Sequence, residues 1–107
     1  MIEEQSLRNL IDTSVSIQDN RTLSDVLLSA GEELGELSTE IQIQNGRKNR
    51  KPSPDGVVGE AVDLALCALD AAILELHNSG KDTEEILSIL TDTIDSKSNK
   101  WYSNYSK

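Results

Sequence analysis

The sequence predicts an all-α protein, and three observations carry that reading. Apolar residues recur at three- and four-residue steps in four separate segments. The segments are divided by Gly, Pro, Asn and Ser, and strand-like alternation is absent from them. The chain holds one Trp, two Tyr and no Phe. Packing therefore falls to Ala, Leu, Ile and Val, which suits close helix–helix contact. At 107 residues the whole chain, 1–107, is expected to form one small domain with a modest core.

The first helix is expected over residues 2–17, where Ile2, Leu7, Leu10, Ile11, Val15 and Ile17 are loosely spaced at helical intervals. The polar run Gln18, Asp19, Asn20, Arg21 ends it. The second begins near Ser24, taken as N-cap. It carries Leu23, Val26, Leu27, Ala30, Leu34, Leu37 and Ile41, the clearest amphipathic pattern in the chain. A breaker segment follows over residues 44–56, with Gly46, Pro52, Pro54 and Gly56. The third helix is expected over residues 57–77, stopped by Asn78, Ser79 and Gly80. It is apolar almost all round from Ala61 to Leu76, the mark of a buried helix. In so small a domain, burial on every side calls for a partner chain. The fourth helix starts at Asp82 or Thr83, has Glu84 and Glu85 in a first turn that favours acids, and ends near Trp101.

The net charge of −9 argues against binding polymeric nucleic acid, which needs a basic surface. A single nucleotide is different, because metal ions screen its phosphates locally. Cys67 is the only cysteine, so no intrachain disulfide is available, and a small buried hydrophobe is its expected role. With one remote histidine, His77 at a helix end, neither a zinc site nor nucleophilic Ser/His or Cys/His chemistry has residues to build on. Gly-rich phosphate loops are absent. No basic stretch leading an apolar one opens the chain, and no run of 18 apolar residues occurs, so a cytoplasmic protein without a membrane segment is expected.

The chemistry-bearing residues are acids. Glu32, Glu33 and Glu36 lie on the second helix, and Glu60 and Asp63 on the third. Acids three apart project from one helix face. Glu33, Glu36 and Glu40 form a band beside the apolar stripe of the second helix. Glu60, Asp63, Cys67 and Asp70 form a stripe roughly 80° wide on the third. Antiparallel packing brings the two bands together along the seam. Taken singly, each band reads as a solvated face. Taken jointly, they read as a nest of carboxylates needing cations, and hard oxygen ligands suit Mg²⁺, with Mn²⁺ as a substitute ion, alongside substrate phosphates.

Arg47, Lys48, Arg50 and Lys51 concentrate four of the ten basic residues in the central loop. They read either as a flexible connection or as side chains that reach a triphosphate, with Arg47 and Lys48 the expected contacts. Lys97, Lys100 and Trp101 form a basic and aromatic patch at the end of the last helix. Trp101 reads either as a seal over Leu90 and Ile94 or as a stacking platform for a base.

The pattern Glu32-Glu33-Leu34-Gly35-Glu36, then Glu60-Ala61-Val62-Asp63, with 23 residues between, resembles the EExxE…ExxD signature of the MazG-like all-α nucleoside triphosphate pyrophosphohydrolases. The resemblance implies a four-helix chain that forms an intersubunit helical bundle, as a homodimer or a dimer of dimers. It implies Mg²⁺ held by Glu33, Glu36, Glu60 and Asp63, with Glu32 ligating a further ion or orienting water. It also implies cleavage between the α- and β-phosphates of a nucleoside triphosphate, giving a monophosphate and pyrophosphate. Family members often carry Lys, then Asn four residues on, then Arg, near the last helix end. Here Trp101 follows Lys97 at that spacing and no Arg follows, leaving Lys100 or Asn99 as replacements. Two other readings stand beside this one. The chain could be a phosphoribosyl-ATP pyrophosphohydrolase of the same superfamily, or a non-catalytic acidic helical module for dimerisation.

Overall fold

In the computed structural model, which describes residues 2–17 and 20–105, the chain forms four helices. They are α1 (Glu4–Ser16), α2 (Leu23–Gln44), α3 (Gly56–Asn78) and α4 (Thr83–Tyr105). No strand occurs among the described residues.

Helix α1 buries Leu7, Ile11 and Ser14, a stripe at four- and three-residue steps. It is shorter than expected at both ends, since Ile2 lies outside it, Glu3 is its extended N-cap and Ile17 forms its C-cap. Of the polar run beyond it, Gln18 and Asp19 lie outside the described residues. Asn20 takes a left-handed φ of 58°, which Asn tolerates, and turns the chain.

The N-cap of α2 is Thr22, not Ser24. The Asp25 N–H donates to Thr22 Oγ1 at 3.1 Å, and the Thr22 N–H donates to Asp25 Oδ2 at 2.9 Å. Two orphan amides are thereby satisfied reciprocally, which Ser24 could not do from inside the first turn. Helix α2 closes on Gly46, at φ 76°, with the Arg47 N–H donating to the Gln42 carbonyl at 2.8 Å. Helix α3 closes in the same way on Gly80, where the Lys81 N–H reaches the Leu76 carbonyl at 3.1 Å. A second reciprocal cap opens α4: the Glu85 N–H donates to Asp82 Oδ1 at 2.9 Å, and the Asp82 N–H to Glu85 Oε1 at 3.1 Å.

Leu7 and Ile11 of α1, Ile73 of α3, and Ile86, Leu87 and Leu90 of α4 form the core. This core occupies one end of the molecule, where the C-terminal half of α3 meets α1 and the start of α4. A polar tie fastens its flank. Arg21 Nη1 donates to Asp70 Oδ2 at 2.6 Å, Arg21 Nη2 donates to Asp70 Oδ1 at 3.2 Å and to the Ser14 carbonyl at 3.1 Å, and Ser14 Oγ donates to Asp70 Oδ1. Burial alone pushes the Asp70 carboxyl up, but the Arg21 and Ser14 hydrogen bonds outweigh it and hold its pKa below the ordinary value. Asp70 is thus a structural anchor rather than part of an exposed acidic stripe.

Among the described residues helix α2 packs along α3 alone, and the pairing is antiparallel: Glu40 meets Ser53 near the connecting loop, while Leu27 and Ala30 share a hollow with Cys67 and Ala71 at the far end. One face of this pair is open. Leu27, Leu34 and Ile41 recur every seven residues along α2 and are 70%, 56% and 36% exposed. Val58, Val62 and Leu66 on α3 are exposed as well. The expectation that α3 is buried on all sides therefore fails for one chain: only Ile73 and Leu74 of this helix are buried. Helix α4 likewise outruns the core and continues past Trp101 to Tyr105, so Trp101 seals nothing and is 71% exposed.

The shape reflects this openness. The radius of gyration is 16.0 Å, against about 13 Å for a compact chain of this length. The accessible surface is 7523 Å², some 1,600 Å² above the roughly 5,900 Å² expected for a folded monomer of this mass.

Candidate functional site

The antiparallel register of α2 and α3 brings the two acidic bands to the same level. One carboxylate oxygen each from Glu33, Glu36 and Glu60 lies within 4.8 Å of the others. Two oxygens on opposite sides of an octahedral Mg²⁺ ion sit about 4.2 Å apart, at roughly 2.1 Å per ligand bond. At least two of any three oxygen pairs on one such ion are neighbours about 3.0 Å apart, so the trio is gathered near one point and must draw closer to share an ion.

The electrostatics agree with the geometry. Glu33 Oε2 and Glu60 Oε2 are buried, and neither has a hydrogen-bond partner. Orphaned carboxylate oxygens are costly, and a cation or a proton is what satisfies them. Burial pushes the Glu33 carboxyl up, and repulsion from Glu36 and Asp63 adds to it. Burial also raises Glu60, helped by a carboxyl–carboxyl contact with Glu36 and by repulsion from Glu36 and Asp63. Each donor is a hard oxygen, so the set fits Mg²⁺ or Mn²⁺ and not a soft ion.

The sequence-predicted residues divide as follows. Glu33, Glu36 and Glu60 converge. Asp63 is exposed and lies outside the tight trio, although its charge acts on Glu33, Glu60 and Cys67. Glu32 stands on the wall of a cleft of about 570 Å³ with Glu36 and Glu60. Glu40, expected to continue the acidic band, is instead only 7% exposed, and its Oε1 accepts from the Ser53 N–H at 2.9 Å and from Ser53 Oγ at 3.1 Å. Arg47, Lys48 and Lys51 are exposed and do not line the cleft; Arg50 does, together with Thr39 and Ser53. Lys97, Lys100 and Trp101 are exposed on the overhanging end of α4, and none of them lines the cleft.

Arg50, Thr39 and Ser53 are the residues that the acid pattern did not single out as contacts. Arg50 and Ser53 lie in the half of the loop nearer to Glu60, which was the available signal. At the other end of the seam, a mostly apolar hollow of about 440 Å³ is lined by Leu23, Ser24, Val26, Leu27, Ala30, Cys67, Ala68 and Ala71. Burial pushes the Cys67 thiol up, and the charges of Glu33, Asp70 and Asp63 push it further, so it remains an unreactive thiol. No described helix is long and apolar enough to cross a membrane.

Compared with protein-family models, with curated proteins and with solved structures, the chain finds no match in any of the three.

Proposed function

We propose that this protein is a divalent-cation-dependent nucleoside triphosphate pyrophosphohydrolase of the MazG-like kind, working as a homodimer. The observation that carries the reading is the convergence of Glu33, Glu36 and Glu60, with two buried oxygens lacking any donor. Three facing carboxylates without a basic partner destabilise the metal-free chain. Such an arrangement makes sense where a cation is the intended occupant.

Glu33, Glu36 and Glu60 would hold the ion, and Asp63, which lies outside the trio, would add a fourth carboxylate. The chemistry a bound divalent ion supplies here is neutralisation of the triphosphate charge and activation of water. The side chains do the rest. Glu32, on the cleft wall and outside the trio, would orient the attacking water and take its proton. The water oxygen bonds to the α-phosphorus, the α-phosphorus–oxygen bond to the β-phosphate breaks, and pyrophosphate leaves with that oxygen. The apolar hollow beside Cys67 is of a kind suited to a nucleoside.

The surface excess of some 1,600 Å² per chain supports the dimer, since it is of the size that obligate interfaces bury on each partner. The exposed Leu27, Leu34, Ile41 and Val58 are the apolar residues such an interface would cover. The same face equally favours a second reading, a non-catalytic module that only dimerises.

The deciding experiment measures pyrophosphate release from each common NTP and dNTP, with Mg²⁺ and with EDTA, for the wild type and for Glu33→Gln and Asp63→Ala. Release that needs the metal and is lost in both folded variants is the expected result. Orthophosphate release, or full activity in folded Asp63→Ala, refutes the assignment. Silence on this panel and on phosphoribosyl-ATP leaves the dimerisation module.

A further inference from the structure

Beyond the acidic trio, the cleft has one basic residue on its wall, Arg50, and its surroundings are unusual. Glu32, Glu36, Glu40 and Glu60 line the same cleft, yet Arg50 forms no ion pair among the described residues. The segment that carries it is tied down. The buried Glu40 carboxylate accepts two hydrogen bonds from Ser53. Ser53 Oγ in turn accepts from the Gly56 N–H at 3.1 Å, and the Ser53 carbonyl accepts from the same N–H at 3.2 Å. The last turns of α2 and the first residue of α3 are thus clipped together through one serine. Arg50 stands three residues before that clip, so its Cα cannot stray more than about 10 Å from it. A guanidinium on a short tether, lining the same cleft as the carboxylates but paired with none among the described residues, keeps its forked donors available for an anion. The anion this cleft can admit is one that arrives with cations, because a bare anion is repelled by the acids.

We infer that Arg50 is the residue that binds the pyrophosphate portion of the substrate, and that Glu40 is the positioning residue that holds Arg50 over the cleft through Ser53. The inference rests on the pyrophosphohydrolase reading and deepens it. Arg50 donates to the oxygens of the β- and γ-phosphates, which are the leaving group. Glu40 lines the cleft, but its Oε1 is committed to Ser53.

The test is calorimetric, with inorganic pyrophosphate as the probe and Mn²⁺ as the cation. Binding of Mn²⁺ alone and of pyrophosphate at saturating Mn²⁺ is measured for the wild type, Arg50→Ala, Arg50→Lys, Glu40→Ala, Glu40→Gln and the Arg50→Ala/Glu40→Ala double variant. Loss of a charge-assisted contact weakens pyrophosphate binding by about tenfold or more in Arg50→Ala. Mn²⁺ affinity stays within about twofold, because the trio is untouched. Arg50→Lys recovers part of the loss. Glu40→Gln, which keeps the Oε1 acceptor, binds as the wild type does, whereas Glu40→Ala reproduces the Arg50→Ala loss. The double variant is no worse than Arg50→Ala, which a merely structural role for Glu40 would not produce. Arg50 is exposed on a loop, so Arg50→Ala reports even if Glu40→Ala misfolds. Wild-type-like pyrophosphate binding by Arg50→Ala overturns the inference alone. Additive losses in the double variant overturn the positioning role of Glu40. A wild-type protein that binds neither Mn²⁺ nor Mn²⁺–pyrophosphate overturns the pyrophosphohydrolase reading and this inference with it.

Discussion

Replacing Arg21 with Ala tests the joint between the core and the acid-bearing helix pair. Arg21 and Asp70 are 22% and 20% exposed at their side chains, so the pair is mostly buried without being dry. Breaking a fully buried pair costs about 3–5 kcal/mol, and breaking an exposed one costs about 0–1 kcal/mol. Arg21→Ala strands the Asp70 carboxylate with Ser14 as its remaining donor, which places the loss at about 2–3 kcal/mol. For a domain of this size that is a fall in Tm of roughly 10–20 °C.

The pH dependence has a definite sign. The Asp70 pKa is lowered in the folded chain, so the tie contributes fully above the ordinary value of 3.8 and is lost as pH falls through the folded value. Urea unfolding followed by far-UV circular dichroism, at neutral pH and again well below 3.8, measures both effects. The gap between the wild type and Arg21→Ala is present at neutral pH and closes in acid. Adding Asp70→Ala to Arg21→Ala recovers part of the loss, because the stranded charge is gone. A neutral-pH loss below about 0.5 kcal/mol would refute the reasoning, as would a gap that survives in acid.

Three further outcomes follow from the same structure. Glu33 and Glu60 have raised folded pKa values, so their contribution is full below the ordinary 4.5 and is lost as pH rises through the folded values. Thermal melts in EDTA should therefore decline as pH rises through that window, and saturating Mg²⁺ should remove the decline. Leu34→Glu places a charge on a side chain that is 56% exposed. Light scattering should then give the 11.7 kDa monomer for the variant and twice that mass for the wild type; equal masses would exclude this face as the interface. Gly56 has φ +61° and open space where a Cβ would stand. Gly56→Ala should accordingly cost about 1 kcal/mol, from backbone strain alone, in the same urea assay.

The parts of this structure that are legible in sequence are those set by local chemistry. Helix periodicity located α2 and α3 from their apolar residues, although of these only Val26, Ile73 and Leu74 are buried in the single chain. The three-residue spacing puts Glu33 and Glu36 on one face of α2, and Glu60 joins them through the antiparallel register. The Thr22–Asp25 cap is also written in the sequence as T-x-x-D, two residues before the Ser24 taken as N-cap. Long-range pairings were not legible. Arg21 and Asp70 meet across 49 positions, so one looked like a helix terminator and the other like part of an exposed stripe. Glu40 resembles its neighbours in every local respect, and only the return of Ser53 makes it a buried anchor. Trp101 could not be assigned from its surroundings because its exposure depends on where the core ends, after Leu90 and the partly buried Ile94.

Helix α2 buries just Val26 and Glu40 among its 22 residues, yet it carries two of the three converging carboxylates. In a lone chain it should be the first segment to open, with an opening free energy well below that of the α1–α3–α4 core. Its amides should exchange with solvent while those around Ile11, Ile73 and Ile86 remain protected. A cation bridging α2 to Glu60, or a second chain covering Leu27 and Leu34, would then slow exchange along α2 selectively and leave the core amides unchanged. The site would thereby act as the latch on its own helix.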